Sequence, residues 1–134
     1  MKYFTISELC HSDVAKKFNI YNEPTAVVAD NLVRLVENVL DPLREAYGKP
    51  IKVNSGYRST ALNKKVGGVS NSQHKEGKAA DIVGTPNNPV ENGKLFNLAR
   101  NLGLPFDQLI DESGLTWVHL SYDKNRQRKQ VLKL

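Results

Sequence analysis

Between Thr25 and Tyr47 the apolar residues Val28, Leu32, Leu35, Val36, Val39 and Leu43 recur at spacings of 4, 3, 1, 3 and 4. That rhythm places them on one face of a helix, the stripe that packs against a core. Gly48 and Pro50 stop the pattern. Pro42 lies inside it, lacks an N–H and clashes with the carbonyl four residues back, so it predicts a kink or a new turn. Upstream, Ser7-Glu8-Leu9 to Phe18 predicts a short helix, with a loop over 19–23. Downstream, Ile51-Lys52-Val53-Asn54 alternates as a strand does, residues 61–66 fit a short helix before Gly67-Gly68, and Ala79-Ala80-Asp81-Ile82-Val83 reads as a second strand.

Asn88-Pro89-Val90-Glu91 supplies a capping residue, Pro at the first helical position and an acid in the first turn, so a helix opens there and ends near 101–103. Residues 108–110 and 116–120 read as strands about a Ser113-Gly114 turn, and 130–134 as a further strand. Helices come early and strands late, without βαβ alternation. The expectation is an α+β fold, a central antiparallel sheet with flanking helices.

Composition changes this picture little. With 134 residues, 40% hydrophobic and 25% charged, the chain is near the globular average, and one domain over 1–134 is expected. No apolar run approaches the roughly 18–20 residues that span a bilayer, so no membrane insertion is expected. The first eight residues hold one Lys and an acid but no apolar core, which does not read as a signal peptide. Lone Cys10 excludes an internal disulfide and a Cys-based zinc site. The net charge of +5 is uneven: residues 123–134 carry five bases and one acid, leaving +1 for the rest. A nucleic-acid reading would rest on Lys124, Arg126, Arg128, Lys129 and Lys133 alone, with no binding motif beside them, so the tail reads as a solvated final strand and no nucleic-acid partner is expected.

Two of the three histidines have unusual surroundings. His74 lies in the polar loop Ser72-Gln73-His74-Lys75-Glu76-Gly77, and Asp81 follows seven residues later in an apolar strand. A carboxylate among Ala79, Ala80, Ile82 and Val83 is costly to bury unless a positive group meets it. His119 likewise interrupts an apolar strand. Two imidazoles and a carboxylate suit tetrahedral Zn²⁺ with a fourth position open to water. The residues alone allow another reading, a hydrogen-bonded core histidine and an aspartate paired with an arginine.

Ser55-Gly56-Tyr57-Arg58-Ser59, then Ser72-Gln73-His74-x-x-Gly77-x-Ala79-x-Asp81, then Trp117-Val118-His119-Leu120-Ser121 resemble the successive signatures of the M15 zinc peptidases. These are D-Ala-D-Ala carboxypeptidases and related peptidoglycan peptidases with the Hedgehog/DD-peptidase fold. The similarity runs from about Pro24 to the last strand. It implies one Zn²⁺ per chain, held by His74, Asp81 and His119, and a peptidoglycan stem peptide as substrate. It also implies that Arg58 contacts a substrate carbonyl or carboxylate, a task suited to a planar, permanently charged guanidinium; an ion pair with an aspartate of the fold is its rival role. Ser72 and Gln73 are expected to orient the first ligand or bind substrate, with loop capping as the alternative. Trp117 walls the cleft or packs in the core.

For the general base the motifs diverge. Several M15 branches place a Glu three residues before the last His, here Thr116, and another a His two before it, here Trp117. Glu112-Ser113 resembles the Glu-Ser pair of Hedgehog proteins, so Glu112 is the expected base, with Asp111 and Glu76 as rivals. The implied catalyst is a monomeric carboxypeptidase or L-Ala-D-Glu-type endopeptidase, a phage or prophage lysin held in the cytoplasm until release and acting at the bacterial cell wall. The alternative is a non-catalytic, zinc-containing Hedgehog-like binding module.

Overall fold

A computed structural model describes all 134 residues. The expected first helix is two. α1 (Ile6–Cys10) and α2 (Asp13–Lys17) are separated by Ser12, whose extended backbone and side chain, accepting from Ala15 N at 3.1 Å, start a new helix. The long amphipathic stretch is α3 (Ala26–Leu35), a π-helical turn (Val36–Leu40) and α4 (Asp41–Tyr47). Pro42 sits in the first turn of α4, where its missing N–H costs little, and the wider π turn before it relieves the clash with the preceding carbonyls. Asn38 Nδ2 donates to Arg34 O at 2.9 Å across that turn. Leu32, Leu35, Val36, Val39, Leu40 and Leu43 are fully buried, so the stripe faces the core as its spacing predicts.

β1 (Lys52–Ser55), β2 (Ala79–Val83), β3 (Gln108–Glu112), β4 (Trp117–Ser121) and β5 (Gln130–Lys133) form one sheet in the order β1-β2-β4-β3-β5. The first four strands pair antiparallel as expected, but β5 runs parallel to β3, so the sheet is mixed. Parallel pairing needs a connection that crosses the strand ends. Residues 122–129 make it, anchored by Gln130 N donating to Asp107 O at 3.0 Å.

α6 (Pro89–Asn101) starts where the sequence predicts, with Asn88 Oδ1 accepting from Glu91 N at 2.8 Å. It packs with α3 and α4 over one face of the sheet, covering Ala80, Ile82, Leu109, Val118 and Leu120. Truncating Ile82, Leu109 or Leu120 to alanine would cost about 2–5 kcal/mol. Because strand residues alternate in direction, Asp81, Ile110, Glu112, Trp117 and His119 share the opposite face. No helix is long and apolar enough to cross a membrane.

Candidate metal centre

Asp81 of β2 and His119 of β4 are direct cross-strand partners, so the register alone brings the carboxylate and the second imidazole together. His119 Nδ1 lies 2.9 Å from Asp81 Oδ1. His74 arrives from outside the sheet, on a single 3₁₀ turn (Gln73–Glu76) that Ser72 caps by accepting from His74 N at 3.2 Å. Gly77 ends the turn at φ +72°, and a Cβ there would lie 2.7 Å from Val28 O, so both conformation and space require glycine. His74 Nε2 stands 3.4 Å from Asp81 Oδ2, and its other nitrogen, Nδ1, donates to Gly56 O at 2.7 Å.

Residues 55–59 form the other wall. Tyr57 N donates to Leu9 O and Arg58 N to His74 O, at 2.8 and 3.0 Å, while Asn22 bonds Tyr57 O and Ser59 N. Arg58 is held on three sides: Nε on Ser55 Oγ at 3.0 Å, Nη1 on Asn63 Oδ1 at 3.0 Å, and Nη2 3.5 Å from Asp81 Oδ2. α5 (Thr60–Lys65) supplies Asn63, a buried residue that the sequence does not single out. Arg58 therefore does pair with an aspartate of the fold, and that aspartate is Asp81. It also lines a cavity of about 750 Å³ together with Glu112 and Trp117.

The electrostatics are those of an ionised centre. Desolvation would raise the Asp81 pKa, but hydrogen bonds and charge from His119 and His74 outweigh it and hold the carboxyl well below the usual range. Burial lowers the Arg58 pKa and Asp81 opposes that. One nitrogen of each imidazole and a carboxylate oxygen lie within 4.8 Å of one another. Donors about 2.0–2.2 Å from a tetrahedral zinc stand roughly 3.4 Å apart, so this set fits the ion with little adjustment. Harder ions take six or more oxygens, and two of three donors here are imidazoles.

Glu112 faces Trp117 across the hairpin, one step along the same sheet face from the Ile110–His119 pair, about 7 Å at strand spacing. Asp111 points to the other face, and its Oδ1 accepts from Leu115 N at 2.7 Å, closing the turn. Glu76 lies 3.5 Å from Lys78 Nζ and is exposed. Gln73 Nε2 donates to Asp107 Oδ2 at 3.0 Å. Asp107 is wholly buried and also receives Arg128 Nε at 2.7 Å and Nη2 at 3.0 Å, with Arg126 Nη2 at 3.3 Å. Desolvation pushes the Asp107 pKa up, but the Arg128 bonds prevail and bring it down to about 2. Arg126 and Arg128 line a second cavity of about 350 Å³, whose wall includes Ser72, Gln73, Ile110 and His119. The tail is thus not wholly solvated, since two of its five cations fold back beside the centre. Asp107 gave no sequence signal, because nothing local marks an acid as buried.

The sequence model of a family described as peptidase M15 matches residues 2–121. A stretch of 44 residues, 32% of this chain, is 54% identical to the zinc D-Ala-D-Ala carboxypeptidase of Streptomyces albus G. That stretch spans 17% of the Streptomyces protein's length. With the family match extending over nearly the whole folded chain, and the histidines and aspartate of its motifs converging in space, the chain belongs to the peptidase M15 family.

Proposed function

We propose that this protein is a zinc-dependent peptidase that hydrolyses peptidoglycan stem peptides. The observation that carries the reading is the convergence of His74, Asp81 and His119, with Arg58 Nη2 3.5 Å from Asp81 and itself lining a cavity that Glu112 also lines. The substrate class is taken from the carboxypeptidase of Streptomyces albus G to which part of the chain is similar.

His74, through Nε2, and Asp81 and His119 would hold the metal. When bound, Zn²⁺ supplies Lewis acidity, polarising a carbonyl and making water more acidic. The remaining work falls to side chains. Glu112, on the sheet face that carries His119, takes a proton from the attacking water and returns it to the leaving amine. Arg58 is fixed by Ser55 and Asn63 before substrate arrives, so its charge is already aimed when negative charge develops on the scissile carbonyl. Trp117 walls the larger cavity and limits water there. Ser72 sets the His74 turn, and Gln73 joins the turn to Asp107.

The direct test is digestion of purified peptidoglycan with and without a chelator, reading released fragments by mass spectrometry. Chelator-sensitive release of stem-peptide fragments is expected, and the fragment masses distinguish removal of a terminal D-Ala from cleavage inside the stem, the cut of a lysin-type endopeptidase. Zinc binding without release of any fragment would overturn the catalytic reading in favour of a binding module.

A further inference from the structure

The second cavity is an assembled feature. Behind its wall lies Asp107, wholly excluded from solvent yet ionised, receiving N–H groups from Gln73 and Arg128 and paired with Arg126 Nη2 at 3.3 Å. A buried carboxylate with this many charged donors holds its partners in place. Two guanidiniums on one carboxylate leave the wall with an excess charge of +1, and no acid lines the cavity. Arg126 is about half exposed, and its Nε and Nη1 meet no protein acceptor; neither does Nη1 of Arg128. The cavity opens on His119 and adjoins the larger one at Val69, which lines both. Residues 126 and 128 lie beyond the stretch matched by the family, so this feature is not part of the shared motif set.

We propose that Arg126 and Arg128 form an anion subsite that takes a carboxylate of the peptide substrate and so determines which peptides are cut. The inference rests on the peptidase reading for its ligand. Asp107 pre-sets the two guanidiniums, their free N–H groups receive the carboxylate, and the peptide backbone is thereby laid across the metal centre towards Arg58. The carboxylate has two sources, the peptide's own C-terminus or a side-chain carboxyl within the stem.

The test uses the zinc-loaded full chain and a synthetic stem pentapeptide, free or singly amidated at each carboxyl in turn. The parent is expected to prefer the free peptide at least tenfold in kcat/KM over one amidated form, and which form identifies the carboxylate. In Arg126→Gln that preference falls to about one, mainly through KM, and Arg126→Lys restores part of it. An undiminished preference in both Arg126→Gln and Arg128→Gln, each with parental thermal unfolding, overturns the subsite. If the parent cleaves no peptide, the peptidase reading fails separately. Calorimetric binding of the same free and amidated peptides to parent and Arg126→Gln then decides: discrimination lost in the variant upholds the subsite, and equal binding by both proteins overturns it.

Discussion

His74 donates its Nδ1–H to the carbonyl of Gly56 at 2.7 Å, and that bond decides which imidazole nitrogen faces Asp81. A carbonyl only accepts, so Nδ1 must carry the proton and Nε2 keeps its lone pair for a metal. Orienting partners of this kind typically change metal affinity by 10–100-fold when lost. Gly56 has no room for more, since a Cβ there would lie 2.1 Å from Leu9 O. Gly56→Ala is therefore expected to shift the carbonyl, lower the unfolding midpoint and weaken zinc binding at least tenfold in a competition titration. Parental zinc affinity in the variant would show that the carbonyl does not set the ring.

The three donors predict one zinc per chain. Metal analysis should find stoichiometric zinc in the parent and loss of it in both His74→Ala and His119→Ala, because two remaining protein ligands hold the ion poorly. Retention of full occupancy in either variant removes that histidine from the site.

Arg58 is both ion partner of Asp81 and wall of the larger cavity, and one substitution separates the two roles. Lysine keeps the charge beside Asp81 but lacks the planar fork that grips Ser55 and Asn63. Arg58→Lys should retain zinc and fold while kcat/KM drops at least tenfold, about 1.4 kcal/mol of transition-state stabilisation. If zinc is lost in step with activity, the arginine's part is to support Asp81.

The clustering of His74, Asp81 and His119 was legible because each breaks a local rule, a polar side chain in an apolar strand or a histidine in a glycine-bounded loop. The helical stripe was legible because a period of 3.6 survives a π turn at this length. What was not legible depends on pairing between distant residues. Nothing within Gln130–Lys133 says that it joins β3 rather than β4, or runs parallel, because that choice is made by the 122–129 connector and its anchor on Asp107. The same holds for Asn63 and Asp107, ordinary polar residues until the fold buries them beneath Arg58 and Arg128.

Asp107 gives the acid side of the stability curve a definite sign. Its carboxyl titrates near 2 in the folded chain against an ordinary 3.8, so the unfolded chain binds the proton more readily. The resulting stabilisation is complete above about pH 4 and is lost as pH falls towards 2. Asp107→Asn should lower stability at pH 7 by roughly 1–3 kcal/mol, the cost of an arginine left with a poorer buried partner. It should also flatten denaturant midpoints between pH 4 and pH 2 relative to the parent. A variant with the parental slope in that window would place the acid sensitivity in other carboxylates, such as Glu91, which Lys49, Lys94 and Tyr47 hold near 2.

Glu112, Asp111 and Glu76 are the carboxylates that compete for the role of proton shuttle, and their surroundings separate them. Asp111 is committed to Leu115 N and lies on the wrong face of β3; Glu76 sits exposed beside Lys78. Glu112 opposes Trp117, lines the cavity that Arg58 lines, and shares its sheet face with His119. Glu112→Gln keeps size and polarity but cannot take a proton, and a lost general base typically lowers the rate by about 10²–10⁴. Zinc content should not change, since a base is not a ligand. Asp111→Asn retains an oxygen for Leu115 N, so its turnover should stay within about twofold of the parent. The assignment fails if Glu112→Gln turns over within that same factor, and moves one residue back if Asp111→Asn, still loaded with zinc, shows the large loss instead.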